Sequence, residues 1–169
     1  IMLENLWQSY LNGDIPTDKM FDISKLAKDY AISDLISGIH SRFLLNLRYY
    51  FNPITNLIEP ISREFGFLRF GYAWTNQDKT DIFVKALFEN SELTGDDKLY
   101  HNKLFSDVGF IRLYIQELNR LSKTEYLDSF FENSASEMQE KLRIIYNDNP
   151  FYGYPKKFLY SNQKIIHDA

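Results

Sequence analysis

At Gly66 the spacing of the apolar residues changes. Before it, Ile54, Leu57, Ile58, Ile61 and Phe65 follow one another at the three- and four-residue intervals of a single helix face. After it, Leu68, Phe70, Tyr72 and Trp74 alternate with Phe67, Arg69, Gly71 and Ala73, the two-residue period of a strand with one strongly buried face. A chain carrying both periods must fold into helix and sheet together, so the expected class is α+β.

Helical patterning extends to both sides of that change. From Ile32, the positions Ile36, Ile39, Phe43, Leu47 and Tyr50 predict a core helix, with Asp22 and Ser24 as caps upstream. Asn52-Pro53 is an N-cap followed by proline at a first helical position, which predicts a second helix through Phe65, kinked at Pro60 and closed by Gly66. Residues 75–81 and 90–98 read as polar loops, and the short apolar run 82–88 fits strand or helix equally. Beyond them, Ile111, Tyr114, Ile115, Leu118 and Leu121 predict a helix. Thr124 is placed to cap another containing Leu127, Phe130 and Phe131, and Ser134-x-x-Glu137 is a capping box ahead of Met138, Leu142 and Ile145. The expected architecture is a helical N-terminal layer on a small sheet that includes residues 67–74, followed by a helical second half.

The chain has 169 residues, without internal repeats and with its Gly and Pro scattered, which predicts a single domain. Asn147-Asp148-Asn149-Pro150 interrupts the helical pattern. The segment 150–169 that follows, with Phe151, Tyr152, Tyr154, Phe158 and Tyr160, reads as an aromatic tail that packs back on the domain or docks on a protein partner. Hydrophobic residues make up 44%, too many for a disordered chain. A net charge of −4 and the lack of a basic run argue against nucleic acid as a partner. No apolar stretch approaches the roughly 20 residues of a membrane span, so a soluble chain without membrane insertion is expected. No charged-then-apolar leader stands at the start, and Ile1 in first place is what a cut or replaced start would leave.

With no Cys, metal or acid–base chemistry falls to carboxylates and to the three histidines, His40, His101 and His167. His40 sits between Ile39 and Phe43 on the expected core helix and reads as structural. His101 and Asp107, six positions apart, reach one cation if the segment between them bends; otherwise His101 is a surface-loop residue and Asp107 caps the next helix. His167 lies near the chain end and gains a role only in a joint site. The signatures G-x-S-x-G, G-x-x-x-x-G-K-[ST], H-E-x-x-H and D-x-[DN]-x-[DN]-G are all missing. Asp96-Asp97 and Glu137 with Glu140 read as solvated acids.

One family resemblance bears on function. Phe21-Asp22-Ile23-Ser24-Lys25-Leu26, then Asn46-Leu47-Arg48, then the run from Leu57 through Glu59-Pro60, Arg63 and Gly66 to Gly71-Tyr72 resembles the N-terminal half of small zinc peptidases. These are the D-alanyl-D-alanine carboxypeptidases and endolysin-type peptidoglycan peptidases of bacteria and phages. The resemblance implies zinc held by His101, Asp107 and His167, with peptidoglycan as substrate. It also shows departures: the His101–Asp107 interval is one residue shorter than the family's and lacks its Gly, Ala73 replaces an Arg, and Lys164 stands where the acidic base belongs. A charged Lys does not accept a proton from metal-bound water. The expectation is therefore a non-catalytic relative acting as a phage or bacterial structural or assembly module, virion-associated or in the cell envelope. An active zinc peptidase is the alternative.

Overall fold

A computed structural model describes residues 2–63, 94–153 and 156–169 of the chain. The strand expected over 67–74, the loop 75–81 and the run 82–88 lie outside the described residues. The described part is mostly helical with one small antiparallel sheet, the α+β class expected.

Helix α1 (Met2–Asn12) and the short α2 (Thr17–Met20) lead into α3 (Ile23–Leu35). Helix α3 starts where Asp22 caps it, its carboxylate accepting the Lys25 amide at 3.0 Å. Leu26, Ala27, Tyr30, Ala31 and Leu35, at helical spacing, form its buried face. The helix ends well short of the span its apolar pattern predicts. Ser37 turns into the left-handed region (φ 52°), the Gly38 amide closes back on the Ser33 carbonyl at 2.7 Å, and a 3₁₀ turn follows at Ile39–Arg42. The hydroxyls of Ser33 and Ser41 both donate to the Gly38 carbonyl, at 2.9 and 2.6 Å, so the break is held by side chains that a helical reading counts as neutral.

The helix expected from Pro53 to Phe65 is replaced, within the described residues, by a hairpin. Strands β1 (Tyr49–Asn52) and β2 (Leu57–Pro60) pair antiparallel, with Phe51 opposite Ile58 and Tyr49 opposite Pro60. Asn52 does act as a cap, but of a turn: its Oδ1 accepts the Ile54 amide at 2.9 Å, and Asn56 takes the left-handed conformation (φ 58°) that closes the loop. Pro60 neither kinks a helix nor breaks a ladder, because it terminates an edge. Ile58 is buried, bridges Phe21 in parallel and accepts the Asp22 amide through its carbonyl at 3.0 Å, which ties the hairpin to the start of α3.

The second half comprises α4 (Gly95–Leu104), α5 (Val108–Leu121), α6 (Thr124–Asn133), α7 (Ala135–Asp148) and α8 (Lys156–Asp168). The most extensive pairing is α3 with α5, and α8 packs on both. Helix α8 completes those two by capping them. Asn162 donates to the Leu35 carbonyl at the end of α3 at 2.8 Å, and Gln163 donates to the Leu121 and Lys123 carbonyls at the end of α5, both at 2.8 Å. The helices expected around Ile111–Leu121, Leu127–Phe131 and Met138–Ile145 are present, but the capping box is not made. Ser134 has a helical backbone (φ −96°, ψ −1°) shared between the end of α6 and the start of α7, and its side chain makes no cap.

Candidate functional site

The densest polar chemistry among the described residues lies inside the first half. Asp29, on the buried side of α3, receives Arg42 of the 3₁₀ turn: Nη1 donates to Oδ2 at 2.5 Å and Nη2 to the Asp29 carbonyl at 3.0 Å. Both side chains are buried, Arg42 to 2% exposure. The other carboxylate oxygen accepts the Ser62 hydroxyl, just past β2. Burial works against the Arg42 charge, but the charge and hydrogen bonds of Asp29 outweigh it and hold the guanidinium above its ordinary pKa. The guanidinium also sits 4.5 Å from the Tyr30 ring centroid.

Around this pair stands a cluster of buried phenols. Tyr10, Tyr30 and Tyr100 are fully buried, and the hydroxyls of Tyr49 and Tyr100 share a 2.6 Å hydrogen bond. Burial raises the pKa of each phenol, that of Tyr10 to about 12, so all are neutral at any ordinary pH. Trp7 stacks on Tyr100, and Phe21 meets Tyr10 edge-on at 5.2 Å. Tyr114 of α5 donates to Asp34, which links the cluster to the α3–α5 contact.

His101 belongs to this core and not to a surface loop. It is on α4, fully buried, with Nδ1 2.7 Å from the Asp97 carbonyl. Burial first, and the Arg42 charge as a lesser cause, lower its pKa to about 4, so the imidazole is neutral at pH 7. Asp107 is the N-cap of α5 and accepts the Phe110 amide at 2.8 Å. His167 is exposed in the last turn of α8. Lys164 lies on the same helix, also exposed. Among the described residues no group of three or more His, Asp or Glu is placed to hold a metal ion, so His101, Asp107 and His167 are not gathered into one. Each has another duty or position: core packing, helix capping and solvent.

The residues missed by sequence reasoning are Asp29, Arg42 and Ser62. One signal exists, for Asp29 alone: it lies three residues after Leu26 and three before Ile32, so its charge sits at helical spacing among apolar residues, whereas Arg42 follows His40 and Ser41 and gives no such signal.

A second surface contrasts with this core. Helix α7 has none of its fourteen residues buried, although it carries Met138, Leu142, Ile144, Ile145 and Tyr146. Ile144 is 52% exposed, Phe130 of α6 46% and Phe151 94%. The aromatic tail divides at this boundary. Leu159 and Ile166 of α8 are core residues, Tyr160 stacks on Phe131 at 5.8 Å and donates to Asp128 at 2.6 Å, and Phe151 is left in water.

Among the described residues no helix is long and apolar enough to cross a membrane. No protein-family model, curated protein or solved structure matches the chain.

Proposed function

We propose that this chain is a non-catalytic binding module of an assembly, docking on a protein partner through the apolar surface of α6, α7 and Phe151. One observation carries this reading: a fourteen-residue helix with five large apolar side chains buries none of its residues, and Phe130 and Phe151 extend the exposed apolar groups on either side of it in sequence. Exposed apolar surface of that kind marks interaction sites. In the core around α3 and α5, by contrast, these polar groups are engaged in holding the fold: Asp29 with Arg42 and Ser62, Asp34 with Tyr114, Asp107 at a helix start. A phage or bacterial structural component, the role implied by the peptidase resemblance with its altered chemical positions, uses such a module to join other proteins. The docking arm of this reading is the α6–α7 surface and Phe151, since α8 is occupied with the core.

The test places a photo-crosslinking residue at Ile144 or Phe151, with Lys19 on α2 as control, in the cells that make the protein. A discrete protein adduct from the first two positions and none from Lys19 is expected. No adduct from either, or equal adducts from all three, overturns the reading.

A further inference from the structure

We infer, resting on the reading of α7 as a docking surface, that its line of Glu137, Glu140, Ile144 and Asp148 is the seat of a basic amphipathic helix of a partner protein. An apolar side chain of that helix lies on Ile144, and its Lys and Arg side chains meet the acids to either side. The four residues follow one another at intervals of three, four and four, so they share one line of α7, about 16 Å long. All four are exposed, Ile144 at 52%. Met138, at another angle around the helix, is half-buried against the core, so the chain's own contacts are made on a different side of α7.

Charge selects the occupant. Residues 124–148, α6 and α7 together, carry six acidic side chains and two basic ones, a net charge of −4, and −4 is also the net charge of the whole chain. The rest of the molecule is neutral in sum, so its negative excess is confined to these two helices. Among the described residues none of the six acids forms an ion pair, and Asp128 alone accepts a hydrogen bond, from Tyr160. Lys141 follows Glu137 by four residues without pairing with it. Glu137 and Glu140, close on one line, repel each other, and a cation set between them relieves the repulsion. A second copy of the chain would set −4 against −4, and an anionic membrane or a nucleic acid meets the same repulsion. A row of residues three and four apart is answered by the matching row of a second helix, ridge into groove. Ile144 is the one apolar member of the row, which asks of that helix an apolar residue with Lys or Arg three or four positions away on both sides.

Fluorescence anisotropy with three labelled synthetic peptides tests this: one with Leu and Lys at helical spacing, one with the same Leu pattern and Glu for Lys, and one with Leu and Lys alternating as in a strand. The full chain is expected to bind the first saturably and at least tenfold tighter than either of the others, with an affinity that falls as salt screens the charges. Glu137→Lys/Glu140→Lys is expected to weaken that binding at least tenfold, and Glu137→Gln/Glu140→Gln to weaken it by less; both variants change exposed side chains. Asp14→Lys/Asp18→Lys makes the same change in net charge at exposed residues around the start of α2 and is expected to leave binding unchanged. No saturable binding of the helical basic peptide, equal binding of either other peptide, or equal losses from the two Lys variants overturns the proposal. The crosslink at Phe151 keeps this apart from the docking reading. A discrete protein adduct that persists undiminished in Glu137→Lys/Glu140→Lys upholds docking and overturns the basic helix, whereas the lack of any adduct in the wild type overturns docking itself.

Discussion

Helices α3 and α7 have thirteen and fourteen residues and both carry apolar side chains at helical spacing, yet eight residues of α3 are buried and none of α7 is. The two differ in what lies on the other side. Helix α3 is covered by α5, by α8 and by the hairpin, and its polar residues Asp29, Ser33 and Asp34 are buried with partners. Helix α7 packs chiefly on α6, itself a peripheral helix. Amphipathic spacing thus states that a face wants cover and is silent on whether the cover comes from the same chain. Stability should be concentrated in the first region, and binding in the second.

The sharpest break of that contrast is at the buried ion pair. Arg42→Ala leaves the Asp29 carboxylate buried beside only Ser62, and removal of one partner of such a pair costs about 3–5 kcal/mol. Urea unfolding should show that loss. The simultaneous Asp29→Leu/Arg42→Met variant should recover most of it, because a buried pair replaced by apolar side chains of similar volume no longer carries an uncompensated charge. Equal losses in the single and double variants would mean that packing, and not charge, holds the region.

The next effect is expected from pH. His101 has a pKa of about 4 in the folded protein against 6.5 in an unfolded chain, so between those values the unfolded state binds the extra proton. Stability is fully present above pH 6.5 and falls as the solution is acidified. At about 1.36 kcal/mol per pKa unit, the loss reaches about 3 kcal/mol below pH 4. Carboxylates confuse the lower end of the range, so the diagnostic window is pH 6.5 to 5. Chemical denaturation there should show a slope in the wild type that is mostly absent from His101→Leu. A wild type without that slope would place His101 in contact with water.

These residues also show what was legible in the chain. The helices at Ile111–Leu121 and Met138–Ile145 were readable because their stripes are local and uninterrupted. The hairpin was not: Asn52-Pro53 satisfies the same rule whether Asn52 caps a helix or a turn, and Leu57, Ile58 and Ile61 fit either period over so short a run. The break after Leu35 depends on Ser33 and Ser41 both reaching Gly38, a contact that periodicity does not encode. For the site, metal-ligand spacing drew attention to His101 and Asp107, whereas the ion pair of Asp29 and Arg42 joins residues thirteen apart across a turn. The Asp29 charge at apolar spacing was its only trace.

A smaller loss is expected where α8 meets the ends of α3 and α5. Asn162→Ala leaves the buried Leu35 carbonyl without the Asn162 amide, and Gln163→Ala does the same to the carbonyls of Leu121 and Lys123. A buried polar group so deprived costs about 1–3 kcal/mol. Denaturant midpoints should fall for both, and the two losses should be nearly additive because the amides serve different helix ends. Unchanged midpoints would show that water replaces the amides and that α8 is held by its other contacts, those of Leu159, Tyr160 and Ile166.

The smallest expected effect on stability separates the two regions most cleanly. Ile144 is 52% exposed on a helix with no buried residue, so Ile144→Asp should move the unfolding free energy by no more than about 0.5 kcal/mol. The charge it introduces would nevertheless be desolvated in any apolar contact with a partner, where an unpaired ion is costly, so the crosslinked adduct from Phe151 should disappear in the same variant. Stability kept and adduct lost would mark α7 as a surface held for binding. A loss of stability comparable to that of Arg42→Ala would instead show that Ile144 is packed within the chain, and the contrast between α3 and α7 would collapse.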